Sequence, residues 1–150
     1  MKSKISLFIV LMLLTSVGCK SKKGKEEGET IKITEEVRYD IKSRGTFRTF
    51  IITPNMFSVV LSDGKIKSSG EITAEQWKQL VVAIKASEPN KWATYEAPSN
   101  RRATDRAGTA QVHYTKGNTK HASGLFDHGE PPVALKEVVS IILELSKKYD

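Results

Sequence analysis

Apolar and polar positions alternate through the first half of the chain beyond residue 30. Ile31 and Ile33, then Val37, Tyr39 and Ile41, fall on one side of an extended backbone, so residues 31–41 predict a strand with one buried face. Ser43-Arg44-Gly45 breaks the alternation, and residues 47–53 read as a second strand closed by Pro54-Asn55. Phe57, Val59 and Leu61 alternate again. Ser62-Asp63-Gly64 supplies a turn, after which residues 65–68 are placed to return as a hairpin partner. The period then changes from two to 3.6: Trp77, Leu80, Val81 and Ile84 stand at i, i+3, i+4 and i+7, one stripe of a helix. Thr73 with Gln76 three residues on makes a capping box at its start, Ile72 is placed to staple onto Trp77, and Pro89-Asn90 ends it.

Residues 92–108 carry no period. They are polar, contain Pro98, and hold Arg101, Arg102, Asp105 and Arg106 close together. Alternation resumes at Ala110, Val112 and Tyr114, Lys116-Gly117-Asn118 turns, and residues 119–126 predict the returning strand. Asp127-His128-Gly129-Glu130 then leads to Pro131-Pro132, residues well tolerated in a first helical turn, and Leu135, Val138, Val139, Ile142 and Leu145 form the last helix's apolar stripe. Lys147 and Lys148 complement the negative end of that helix. Tightly joined strands must pair antiparallel, and a helix with one apolar face must bury it. The expectation is an α+β two-layer domain, an antiparallel sheet of about five or six strands with two helices packed on one face.

The first 30 residues follow a different pattern. Lys2 and Lys4 precede an apolar run, residues 5–14, interrupted only by Ser6. As a helix it would span about 15 Å, half the hydrocarbon thickness of a bilayer, which suits a signal peptide better than a transmembrane span. Thr15-Ser16-Val17-Gly18-Cys19 then reads as a lipobox, with Ser16 where Leu is usual. Residues 1–18 are expected to be a lipoprotein signal peptide and Cys19 the lipidated first residue of the mature chain, its acyl chains anchoring the protein to a membrane. Residues 19–30 contain no large apolar side chain and predict a flexible tether, leaving residues 31–150 as a single domain.

Charge changes this picture little. The chain is formally +7. Setting aside Lys2, Lys4, four tether lysines and three tether glutamates leaves 18 basic and 14 acidic residues, +4, over residues 31–150. With scattered cations and few aromatic residues, nucleic-acid binding is not expected. The single cysteine is spent on the lipid, so the domain must hold together by its apolar core.

Candidate chemistry is sparse. His113, His121 and His128 with Asp105 and Asp127 make a nominal metal set, but gaps of eight and seven residues lack the close pairing of zinc ligands, and no metal or cofactor is expected. His113 and His121 could at most face one another across a hairpin. Arg44, Arg102, Asp105, Asp127 and His128 are the possible binding residues: the arginines could clamp a carboxylate or phosphate, or could tie the 92–108 loop to the sheet through Asp105 or Asp127. The tie is the favoured reading. Ser123 near Asp127 and His128 lacks the Gly-x-Ser-x-Gly elbow of a hydrolase, so no catalytic residue is assigned. His128 is expected to point to solvent. Trp77 belongs to a core stripe, and Trp92 reads as the freer of the two tryptophans.

Ser43-Arg44-Gly45, Ile72-Thr73 before Trp77-Lys78, Ala97-Pro98-Ser99 with Arg102 and Asp105, and above all Phe126-Asp127-His128-Gly129-Glu130-Pro131-Pro132 resemble segments of small uncharacterised lipoproteins of Bacteroidota, over roughly residues 37–145. The resemblance implies an outer-membrane lipoprotein and no particular activity. A fainter similarity of layout is to emfourin-type inhibitors of metalloproteases, carried by Gly45-Thr46-Phe47 and the paired prolines before the last helix. The leading expectation is a membrane-anchored, non-enzymatic binding or structural module whose partners are the membrane itself and another envelope protein. A metalloprotease inhibitor comes second, and a small enzyme with an Arg/Asp/His loop site third.

Overall fold

The computed structural model describes residues 35–149; the expected signal peptide (1–18), Cys19 and the expected tether (19–30) lie outside the described residues, as do positions 31–34 of the first expected strand. Four strands open the domain: β1 (Glu35–Ser43), β2 (Thr46–Thr53), β3 (Met56–Leu61) and β4 (Ile66–Glu71). Helix α1 (Ala74–Ala86) follows, then β5 (Thr109–Lys116), β6 (Thr119–Ala122), the two-residue β7 (Phe126–Asp127) and helix α2 (Lys136–Ser146). The sheet is antiparallel throughout, in the order β4-β3-β2-β1-β5-β6, with β7 also paired to β5. The fold is therefore α+β, with one more strand than the periodicity suggests.

The extra strand has a local cause. The chain returning from the Gly117-Asn118 turn pairs with β5 only as far as Ala122. At Ser123 the side chain enters the ladder, its Oγ accepting from the Val112 N–H (3.1 Å) and donating to the Gly124 carbonyl (2.8 Å). Pairing resumes on the same β5 partner at Phe126 and Asp127, which face Ala110 and Thr109. Ser123 thus repairs a break between strands, and its hydroxyl is committed to the backbone.

Register builds the core. Tyr39 faces Phe50 on one side and Val112 on the other, and Phe50 faces Val59. This alignment puts Val37, Tyr39, Ile41, Phe50, Ile52, Phe57, Val59, Ala110, Val112 and Tyr114 on one face, all buried. Leu80, Ala83 and Ile84 of α1 and Val138, Val139, Ile142 and Leu145 of α2 join the same cluster, and the two helices touch. Alternate residues (Arg38, Asp40, Lys42, Thr49, Gln111 and His113) turn to the opposite face.

The capping box at Thr73 is formed in both directions, Gln76 N–H to Thr73 Oγ1 at 3.1 Å and Thr73 N–H to Gln76 Oε1 at 2.8 Å. The tryptophans reverse the sequence reading. Trp92, in a 3-10 turn over Pro89–Thr94, is fully buried, its ring 6.5 Å from Tyr114 and its indole N–H donating to Ser87 Oγ (2.9 Å). Trp77 is only half-buried at the margin of the core. An indole can be buried from a polar, aperiodic segment when a hydroxyl waits for its N–H, and no periodicity signals that.

Candidate functional site

Asp127 is the centre of the loop cluster. Phe126 turns its ring into the core, so the next residue of β7 turns the other way, toward a 3-10 turn at Arg101–Thr104. The Asp127 side chain is completely inaccessible to solvent. Its Oδ2 accepts from Ser99 Oγ (2.6 Å) and the Arg101 N–H (2.7 Å), and its Oδ1 from the Arg102 N–H (2.9 Å) and Arg102 Nη1 (3.2 Å). A carboxylate from a distant strand therefore caps the 3-10 turn, a task that Asn100 at its own N-terminus leaves undone. Burial pushes the Asp127 pKa up, but the Ser99 hydroxyl, the two backbone N–H groups and the Arg102 guanidinium outweigh it and hold the carboxyl well below the usual range. An acceptor so occupied and so weakly basic is unsuited to proton abstraction.

The cluster extends outward. Arg102 Nη1 also donates to the Ser99 carbonyl (2.8 Å), while Ser99 Oγ lies 2.8 Å from Glu130, which pairs in turn with Arg101. The expected tie of the 92–108 loop to the sheet is thus made by Arg102 and Asp127. Arg44 does not reach Asp127; it meets Asp105 instead, Nη2 to Oδ2 at 3.0 Å, with the two side chains 80% and 60% exposed. Such a pair contributes no more than about 1 kcal/mol. Lys42, Arg44, Arg102 and Asp105 border a polar cleft of about 370 Å³ at the turn end of the β1–β2 hairpin.

His128 departs from expectation. Its Nδ1 lies 2.9 Å from the hydroxyl of the buried Tyr39, and the two rings are 5.7 Å apart. Burial holds the Tyr39 phenol well above its usual pKa, against the smaller opposing effect of the Gly129 N–H. The neutral phenol and His128 Nδ1 share one hydrogen bond, in which the tautomer of the ring decides which group donates. The ring therefore does not point free into solvent. Packing along Tyr39 gives a side-chain partner to a core hydroxyl.

His113 and His121 do not face one another. Tyr114 is paired with His121 and stacks on it at 6.1 Å, so His113, one residue earlier, occupies the opposite face. There His113 Nε2 approaches Asp40 Oδ2 at 3.1 Å, close enough for an ion pair when protonated but without hydrogen-bond alignment. Asp40 also accepts from Thr49 Oγ1 (2.7 Å) and Arg38 (3.1 Å). Burial pushes the Asp40 pKa up, yet His113, Thr49 and Arg38 together hold it below the usual range. Among the described residues no group of three or more His, Cys, Asp or Glu side chains is placed to hold a metal ion. A mostly apolar recess of about 610 Å³ runs between α2 and the Pro98 and Gly129–Pro131 segments, away from the Arg44 cleft.

Sequence reasoning missed Ser99, Arg101 and Glu130 as partners in the Asp127 cluster, and Lys42 at the cleft. Pro98-Ser99-Asn100 before the paired arginines was the available signal, since Pro, Ser and Asn are turn residues and the N–H groups of a turn need an acceptor. Nothing local marks Glu130 or Lys42. The chain matches no family model, no curated protein and no solved structure.

Proposed function

We propose that the protein is a lipoprotein of the cell envelope, anchored through Cys19 to the outer membrane, whose single α+β domain acts as a non-enzymatic binding or structural module. The lipobox supports the anchor. The observation that favours a module over an enzyme is the state of Asp127: the buried carboxylate at the centre of the candidate residues has both oxygens occupied by protein donors. Its role is to hold a loop in shape. Anchoring is tested by fractionating cells and labelling with a clickable fatty acid. Wild type should label and sediment with membranes, and Cys19→Ala should do neither; an unlabelled wild type refutes the anchor.

A second reading, inhibition of a metalloprotease, draws on the β1–β2 hairpin. Gly45 turns it with a φ of +69°, and Phe47 stands 38% exposed beside the tip. An inhibitor should slow a thermolysin-like protease at stoichiometric concentration. Unchanged hydrolysis at micromolar protein excludes it.

A further inference from the structure

The cleft between the β1–β2 hairpin and the Arg101–Thr104 turn has a construction that loop-tying does not account for. Arg102 is a fixed cation: the Asp127 carboxylate and the Ser99 carbonyl hold one of its nitrogens, its side chain is only 20% exposed, and it borders the cleft. Arg44 reaches in from the hairpin turn, held only by its exposed contact with Asp105. Lys42 adds a third cation from β1 and makes no ion pair among the described residues. Ser43 and Thr109 also line the wall. Among the described residues that line the cleft Asp105 is the only one with a carboxylate, and it owes its place to the backbone. It sits at φ +55° and closes the 3-10 turn by donating its N–H to the Arg101 and Arg102 carbonyls, whatever its side chain does.

We infer that this cleft is a binding site for a phosphate ester, carried on a soluble molecule or on a lipid head group. Three cations bordering one space, Lys42 and Arg44 from the β1–β2 hairpin and Arg102 from the facing 3-10 turn, suit a tetrahedral group with several terminal oxygens better than a planar carboxylate with two. The volume, about 370 Å³, lies at the small end of the range for ligand sites and matches a compact head group. Asp105 acts as a stand-in anion: it occupies Arg44 while the site is empty and yields it to a phosphate. The inference goes beyond membrane anchoring and holds with or without the lipid.

The test uses the full chain in detergent, titrated with inorganic phosphate at constant ionic strength and followed by melting temperature, with sulfate as the comparison. A second arm places the chain in phosphatidylcholine vesicles with and without phosphatidic acid. Phosphate should raise the melting temperature more than sulfate does. Lys42→Ala should weaken binding about tenfold, and Asp105→Asn, which keeps a side chain tolerant of positive φ, should strengthen it by about the same factor. A shift that depends on phosphatidic acid and exceeds that with free phosphate identifies a lipid source; the reverse identifies a soluble one. No shift in either arm overturns the inference, as does a shift that sulfate equals and both substitutions leave unchanged. A chain that is never lipidated fails the fractionation experiment but not the phosphate titration, so the two readings fail separately.

Discussion

Tyr39 and His128, 89 positions apart in the chain, are joined hydroxyl to imidazole at 2.9 Å, and this contact locks the loop after β7 onto the central strand of the sheet. Tyr39 lies wholly within the core, where a hydroxyl without partners is costly. His128→Ala should therefore destabilise the domain by about 1–2 kcal/mol in urea unfolding, and Tyr39→Phe by a similar amount. The double variant Tyr39→Phe with His128→Ala should cost less than the sum, because the hydroxyl that needed a partner is gone. Strict additivity would show that the contact contributes nothing.

Asp127→Ala removes the acceptor for two backbone N–H groups, a hydroxyl and a guanidinium at once. A fall in melting temperature on the order of 10 °C is expected, with the loss centred on residues 99–106 in hydrogen exchange. The same residue sets an acid limit. Folding depresses its pKa, so the stability it supplies is complete above the ordinary value of 3.8 and is withdrawn as pH falls below it. Asp127→Asn should flatten the loss of stability on acidification in that window. An unchanged acid profile would assign the acid limit to other carboxylates.

Ser87 serves three contacts just after α1: its Oγ accepts the Trp92 indole N–H and donates to the Ile84 carbonyl, and its own carbonyl accepts from Tyr95. Ser87→Ala should cost about 1–2 kcal/mol by leaving a buried indole N–H unpaired. In a Trp92→Phe background the same change should cost less. Equal cost in both backgrounds would mean that the indole bond is not what Ser87 provides.

Gly70 on β4 leaves room for Tyr149. A Cβ there would collide with Cε1 of Tyr149, whose ring stacks on Phe57 at 5.2 Å and whose hydroxyl donates to the Glu71 carbonyl. Gly70→Ala should push that ring off Phe57 and cost about 1–3 kcal/mol. With Tyr149→Ala already present the penalty should largely vanish. A penalty that survives would place the constraint in the β4 backbone.

Alternation in residues 37–61 and 110–114, and the 3.6 period around Trp77 and Leu135, were enough to determine β1, β2, β3, β5, both helices and the α+β class, because one-sided burial writes itself into local spacing. The capping box at Thr73 was equally legible, since all its atoms lie within four residues. The opposed histidines were not read from the chain: a turn over Lys116-Gly117-Asn118 would pair His113 with His121, and only the observed two-residue turn at Gly117-Asn118 pairs Tyr114 with His121 instead. The sequence also supplied the candidates Arg44, Arg102, Asp105 and Asp127, but not their partners. That Arg102 meets Asp127 and that His128 turns inward to Tyr39 were decided only when β7 docked on β5, and that Arg44 meets Asp105 and Trp92 is buried against Tyr114 only when distant segments packed together. Contacts between loops leave no period in the chain. They depend on where strands distant in sequence place each loop, and a buried donor takes whichever acceptor the packing brings within reach.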